Sequence, residues 1–148
     1  MHDRERVGHR IIQLGVTLFL VGLLIGLVVP VFANPRMGLA SHLEGVMNGM
    51  FLVLLGVIWP RLDLGPRGLA ATFWLAMYGT FSNVLATLLA AAWGAGSMMP
   101  IAAGDQVGTP AQEQVIRALL VSLALAMVAV CILVLVGLRR AGGTTDPH

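Results

Sequence analysis

The chain consists of four long apolar stretches separated by polar breaks that are rich in glycine and proline. Each stretch has the roughly 20 residues that a helix needs to cross the hydrocarbon core of a bilayer. Short breaks predict antiparallel neighbours, and only the break before the fourth stretch is long. The pattern therefore predicts an all-α integral membrane protein, a bundle of four transmembrane helices. The predicted spans cover approximately residues 10–32, 39–59, 69–93 and 113–138.

The outer limits of the first and fourth stretches define one membrane domain over residues 10–138. The first stretch could instead be a signal peptide, but it is long for one, and VFANPRMG resembles a cleavage site only weakly. We therefore expect a retained span, in which Pro30 kinks or ends the helix. Residues 1–9 and 139–148 are expected to be cytoplasmic tails, the second without regular structure.

The arginines predict the orientation of the helices. All nine basic residues are arginine, and with four spans seven of them fall on one side of the membrane. Because positively charged loops stay in the cytoplasm, we expect both termini there and the long loop outside, in a bacterial-type inner (cytoplasmic) membrane. The cytoplasmic set comprises Arg4, Arg6, Arg10, Arg61, Arg67, Arg139 and Arg140, whereas Arg36 and Arg117 lie on the other side.

The composition excludes several classes of protein. Hydrophobic side chains make up 57% of the 148 residues and charged ones 11%, which leaves too little polar surface for a soluble domain. The one cysteine, Cys131, excludes an intramolecular disulfide and a multi-cysteine metal site. The net charge of +2 follows from the loop arginines, so we expect no nucleic-acid partner.

The second stretch contains His42, the one histidine inside a predicted span. At 100° per residue, Gly45, Gly49 and Gly56 point in nearly the same direction as His42. Spacing alone favours a surface for helix packing. The alternative is a flat cofactor such as haem, which would lie on Gly45 and Gly49 while His42 binds its iron. One histidine would leave the iron an open face, which suits Lewis-acid chemistry better than electron transfer.

The third stretch also carries polar side chains inside its predicted span. Asn83, like Asn48 on the second stretch, needs a hydrogen-bonding partner in lipid. Each asparagine either bonds between helices or contributes to a polar pocket. Tyr78 lies on a neighbouring ridge of the same helix. Residues at three- and four-residue spacing share the face of Asn83, namely Thr72, Ala76, Thr80, Asn83 and Thr87.

An acidic residue, Glu44, lies near the predicted outer boundary of the second span. Ionisable groups inside a membrane are costly and usually have a partner. We expect Glu44 to pair with Arg36 or to contact lipid head groups, in preference to acid–base chemistry.

Three segments together resemble the hydroxylaminobenzene mutases, which are small membrane proteins with four helices. They are NPRMGLASHLEGVMNGMF, YGTFSNVLA and GAGSMMPIAAG, and the resemblance extends over about residues 10–138. The chain is more distantly similar to styrene oxide isomerase, which binds haem b between the neighbouring subunits of a trimer. The resemblance thus implies a homotrimer with haem b as its cofactor.

The resemblance also implies roles for individual residues. The isomerase has a histidine followed, after five residues, by the tripeptide NGM, and this chain has the same motif, with His42 as the histidine and Asn48 as the asparagine. The resemblance implies that His42 is the axial ligand of ferric haem b and that Asn48 contacts the substrate. Gly79 and Asn83 match a Gly-x-x-x-Asn segment of the isomerase. Where the isomerase has a tyrosine and an acidic residue, this chain has Thr87 and Tyr78, and these departures favour the mutase.

The expected reaction is the rearrangement of a small aromatic substrate, hydroxylaminobenzene, to 2-aminophenol, with ferric haem as a Lewis acid at the substrate oxygen. Asn48 and Asn83 would orient the substrate, and Tyr78 would donate a proton or stack on the ring. Thr80 and Thr87 would line the pocket. One alternative is an epoxide isomerase. Another is a non-catalytic protein, either a b-type haem carrier or a structural subunit.

Overall fold

The computed structural model describes residues 2–104 and 106–143. Four of its helices are long and apolar enough to cross a membrane. The prediction of an all-α bundle of four membrane helices is therefore confirmed. The helices are α1 (His2–Leu27), α2 (Pro35–Ile58), α3 (Pro66–Trp93), the short α4 (Pro100–Ala103) and α5 (Pro110–Gly143), with 3-10 turns at Val29–Val31 and Trp59–Arg61.

Prolines explain why three membrane helices begin earlier than the apolar stretches. Helices α2, α3 and α5 start at Pro35, Pro66 and Pro110, three or four residues before the predicted spans. Proline suits the first helical position because its ring presets the helical φ and the missing N–H would be unpaired there anyway. Hydropathy indicates the part of a helix that lies in lipid, whereas proline indicates where the helix begins.

Helices α1 and α5 also differ from their expected bounds. Helix α1 begins at His2 and ends at Leu27, and Pro30 lies in the 3-10 turn that follows, so the expected helix end near Pro30 is confirmed. Helix α5 continues to Gly143. The expectation of an irregular tail from residue 139 is therefore wrong for residues 139–143, and residues 144–148 lie outside the described part of the chain.

Helices α1 and α2 form a tight antiparallel pair through glycines. A Cβ atom built on Gly45 would lie 2.5 Å from the Cα atom of Gly22. A Cβ atom on Gly49 would lie 2.8 Å from the carbonyl oxygen of Gly15. Real Cβ atoms do not approach backbone so closely, so only glycine permits this separation of the helices.

Helix α3 packs between α2 and α5. The Arg4 guanidinium donates to the carbonyl oxygen of Leu62 over 2.8 Å, and the Asp63 N–H donates to the carbonyl oxygen of Gly137 over 3.1 Å. The start of α1 and the end of α5 therefore lie at the same end of the bundle as the connection between α2 and α3.

The opposite end of the bundle is closed by two polar side chains. The Asn34 side chain caps α2 and donates to the carbonyl oxygen of Ala103 over 2.9 Å. The buried carboxylate of Glu113 accepts from the backbone N–H groups of Gly96, Ser97 and Gly108, and from the Ser97 hydroxyl. These bonds hold the long loop against the start of α5.

Candidate active site

A carboxylate and two amides meet between α2 and α3 and form the carboxylate–amide cluster, which consists of Glu44, Asn48 and Asn83. Asn83 Nδ2 donates to Glu44 Oε2 over 2.6 Å, and Asn48 Nδ2 donates to the same oxygen over 3.1 Å. Asn48 Nδ2 also donates to the Glu44 carbonyl oxygen over 2.9 Å. Both asparagines are polar residues that the sequence predicts to need partners in lipid, and the structure brings them together on a shared partner.

The remaining oxygens of the cluster are accessible. No described residue donates a hydrogen bond to Oδ1 of Asn48, Oδ1 of Asn83 or Oε1 of Glu44. Yet no buried side-chain nitrogen or oxygen atom in the described part of the chain lacks a partner. The three oxygens are therefore not fully buried, and they offer hydrogen-bond acceptors.

The expectation for Glu44 is wrong. Its carboxylate binds Asn48 and Asn83 inside the bundle, rather than pairing with Arg36 at the membrane surface. Its position near the end of the apolar stretch is what suggests a boundary residue. A signal was available, since Glu44 and Asn48 are four residues apart and hence neighbours on one helix face.

His42 lies at the junction of α1 and α2, beside an apolar groove. Its Nδ1 atom is 2.8 Å from the Gly22 carbonyl oxygen, which makes Nδ1 the donor, and in the neutral imidazole Nε2 then carries the lone pair. Metal-bound histidines usually have such a second bond, which orients the ring. The groove, of about 630 Å³, is lined by Leu23, Leu24, Gly26, Leu27, Val29, Pro30, Leu39 and His42.

The chemistry of this donor fits an iron ligand, and Gly26 makes room for it. A Cβ atom on Gly26 would lie 2.6 Å from His42 Nδ1, so a larger residue there would displace the ring. Gly26 and Gly22 are not among the residues predicted above. Gly22 and Gly26 are four residues apart, and Gly8 and Gly15 precede Gly22 at intervals of seven residues. This spacing indicates a glycine face on α1.

The glycine face of α2 is filled by α1. The backbone of Gly22 lies against Gly45, and the backbone of Gly15 and Phe19 lies against Gly49. The packing interpretation of this strip is therefore the correct one. The structure contradicts the assignment of Gly45 and Gly49 to cofactor binding, because the neighbouring helix leaves no space on them for a flat molecule.

The two threonines expected in the substrate pocket are buried in α3. The Thr80 hydroxyl donates to the carbonyl oxygen of Ala76 over 2.7 Å, and the Thr87 hydroxyl donates to that of Asn83 over 3.0 Å. Each hydroxyl is thus satisfied within its own helix. In the single chain, the structure does not present Thr80 or Thr87 to a cavity.

Tyr78 lies on another side of α3 from the cluster. It is five residues before Asn83, roughly 140° around the helix. Its hydroxyl is 2.6 Å from the Ser122 hydroxyl of α5. The structure therefore does not join Tyr78 to the two asparagines, and its role as a proton donor or stacking partner stays a prediction.

His42 and the cluster also occupy different sides of α2. Asn48 follows His42 by six residues, which is roughly 120° around the helix, and Glu44 is roughly 160° away. The groove beside His42 is formed with α1, whereas the cluster is formed with α3. In one chain, His42 and the cluster therefore face in different directions.

Comparison with known proteins identifies the family. The sequence model of the styrene oxide isomerase family matches residues 7–139. The chain is 58% identical over 136 residues to hydroxylaminobenzene mutase HabB of Ectopseudomonas oleovorans, which covers 91% of this chain and 83% of the relative. It is 51% identical over 127 residues to hydroxylaminobenzene mutase HabA of the same organism, covering 85% of this chain and 94% of the relative. No solved structure matches the chain.

The matched residues extend over all four membrane helices and include His42 and the carboxylate–amide cluster. These similarities exclude the alternative of a non-catalytic carrier or structural subunit, because the relatives and the family are named as enzymes. This membrane-embedded chain belongs to the styrene oxide isomerase family and is an isomerase or mutase.

Proposed function

We propose that the protein rearranges hydroxylaminobenzene, or a related aryl hydroxylamine, to the corresponding 2-aminophenol. The observation that carries the proposal is the pair of asparagine amides, held by one carboxylate inside a chain 58% identical to a hydroxylaminobenzene mutase. We further propose that it lies in a bacterial inner membrane with both termini in the cytoplasm. The placement of seven of the nine arginines supports this orientation.

His42 is the residue that would hold the iron of haem b. Its free Nε2 atom, the bond from Nδ1 to Gly22 and the apolar groove beside it support this assignment. A bound ferric haem would supply Lewis acidity toward the substrate oxygen.

The residues of the cluster bind and orient the substrate. The accessible Oδ1 atoms of Asn48 and Asn83 accept hydrogen bonds from the hydroxylamine N–H and O–H groups. The N–O bond breaks and a C–O bond forms at the ortho carbon. That carbon loses its proton and the nitrogen gains one, so substrate and product are isomers and no external electrons are required. The surrounding apolar helices exclude water, which would otherwise attack the electron-poor ring.

The active site is proposed to be completed between subunits of a homotrimer. His42 and the cluster face different sides of α2, which supports a site that combines His42 of one subunit with Asn48 and Asn83 of its neighbour. Mixed oligomers test this arrangement. Co-expression of His42→Ala and Asn83→Ala chains is expected to give more activity than either variant has alone. A mixture no more active than the single variants would contradict the shared site.

Incubation of the purified protein with hydroxylaminobenzene in ¹⁸O-labelled water tests the reaction itself. We expect 2-aminophenol without the label, since the oxygen moves within one molecule. Labelled product would indicate attack by water, and the absence of aminophenol would refute the proposed function.

An epoxide isomerase is the second candidate, and the match to the styrene oxide isomerase family favours it. Parallel incubation with styrene oxide distinguishes the two. A much higher kcat/KM for styrene oxide than for hydroxylaminobenzene would reverse the assignment.

A further inference from the structure

The buried Glu113 and the half-buried Glu44 differ in which groups donate hydrogen bonds to their carboxylates. Both oxygens of Glu113 accept hydrogen bonds from the loop that it holds. Glu44 uses only Oε2, and both of its donors are side-chain amides. Glu113 thus has a complete structural role, whereas the bonds of Glu44 decide how two other side chains are turned.

An asparagine side chain can present either its oxygen or its NH₂ group to a ligand, and its hydrogen bonds decide which. Glu44 Oε2 accepts from Nδ2 of Asn48 and Nδ2 of Asn83 at the same time. Each NH₂ group is therefore turned toward Glu44, and each Oδ1 atom is turned away from it. With Glu44 Oε1, the cluster presents three accessible acceptors.

We propose that Glu44 is a positioning residue that makes the cluster selective for aromatic ligands carrying N–H and O–H donors. An aryl hydroxylamine has both donors, whereas an epoxide has only an acceptor oxygen and would face three other acceptors. An ionised Glu44 would also stabilise positive charge that develops on the nitrogen and ring of a substrate bound at the cluster. This inference rests on the proposed function, because it explains which of the two candidate substrates the site accepts.

The inference assigns the carboxylate a role in specificity that the two amides alone cannot supply. Without the carboxylate, the Asn83 amide is free to turn and offer its NH₂ group, which suits epoxide and hydroxylamine alike, whereas the Glu44 carbonyl oxygen still holds Nδ2 of Asn48. Replacing Glu44 by glutamine therefore does more than remove a charge. The new NH₂ group can donate to Oδ1 of Asn83, and Asn83 then turns its own NH₂ group toward the ligand.

Direct binding to the full-length protein in lipid nanodiscs tests the inference without relying on turnover. The probes are 2-aminophenol, which has donors, and 1,2-dimethoxybenzene, which has a similar shape and none. Wild type is expected to prefer 2-aminophenol. In Glu44→Gln the ratio of the two affinities is expected to fall about tenfold or more, because a charge-assisted hydrogen-bond network is lost. Glu5→Gln, at an exposed site on α1, is the matched control and is expected to keep the preference.

Equal binding of the two probes to wild type, or an unchanged preference in Glu44→Gln, would overturn the inference. If Glu44→Gln does not fold, solid-state NMR of wild-type protein with isotope-labelled glutamate can measure the protonation state of Glu44 instead. A protonated Glu44 side chain would overturn the inference, and an ionised one hydrogen-bonded to both amides would support it. The proposed function fails separately, if wild type forms no 2-aminophenol from hydroxylaminobenzene.

Discussion

Helix α2 meets α1 through glycines and meets α3 through a carboxylate and two amides. On the α1 side, the backbone of Gly22 lies against Gly45 and no side chain separates the helices. On the α3 side, Asn83 reaches Glu44 Oε2 over 2.6 Å, and acceptor oxygens stay accessible nearby. The first interface has no room for a ligand, and the second has unsatisfied hydrogen-bonding capacity.

The two faces of α2 thus combine close packing with open hydrogen-bonding capacity. Close backbone packing holds α1 and α2 in one register, and that register sets the position of His42 against the Gly22 carbonyl. Polar groups inside lipid are costly, so the open acceptors of the cluster support its proposed role in binding substrate. Substitutions on the two faces are therefore expected to fail in different ways.

The largest effect is expected at the glycine interface. Gly45→Ala would place a Cβ atom 2.5 Å from the Gly22 Cα atom, so α1 and α2 must separate. We expect a loss of roughly 3 kcal/mol in stability, the upper end for overpacking, measured by thermal unfolding in detergent. Gly65→Ala is the control, since a Cβ atom there meets nothing within 4 Å. Equal unfolding temperatures for the two variants would contradict the packing.

His42→Ala is expected to leave the bundle folded and to abolish haem absorption. The side chain is the proposed iron ligand, and activity should fall roughly 100-fold or more when it is lost. His9→Ala, at an exposed position on α1, should keep both properties. Absorption spectra of the purified variants provide the measurement, and full retention of haem by His42→Ala would remove the ligand assignment.

Asn83→Ala tests the polar interface, with an expected effect on catalysis rather than on stability. It removes the 2.6 Å bond to Glu44 and one substrate acceptor. Hydrogen bonds to charged groups are worth about 1.5–3 kcal/mol, which corresponds to roughly 10- to 100-fold in kcat/KM. Rates with hydroxylaminobenzene measure the effect. If Asn83→Ala retained full activity, the carboxylate–amide cluster would have no role in the reaction.

Tyr78→Phe is expected to have the smallest effect, less than about threefold in kcat/KM. Its hydroxyl bonds to Ser122, on another side of α3 from Asn83, and a partly exposed neutral hydrogen bond contributes about 1 kcal/mol or less. Ser122→Ala removes the same bond from the other partner and serves as the control. A large loss of activity in Tyr78→Phe, without a similar loss in Ser122→Ala, would indicate that the Tyr78 hydroxyl takes part in the reaction.

Much of this protein could be predicted along single helices. Apolar length identified four spans, Pro30 indicated where the first helix ends, and periodicity placed Thr72, Thr80 and Thr87 on one face of α3, which is buried. These properties depend on hydropathy and on the helical repeat, which are local in the chain. The helix starts at Pro35 and Pro66 were missed, although the rule for proline at the first helical position is equally local.

The sequence does not show in the same way which helix or cofactor packs against each face of α2. From its own sequence, α2 presents glycines, a histidine and a carboxylate, and spacing alone leaves open whether α1 or a cofactor covers the glycines. The sequence by itself determined the fold class, the spans and the polar residues that need partners in lipid. Only the tertiary structure decided that α1 fills the glycine face, that His42 bonds to Gly22 and that Glu44 binds both asparagines. The physical reason is that these contacts join residues distant in the chain, and the packing of whole helices against one another sets them.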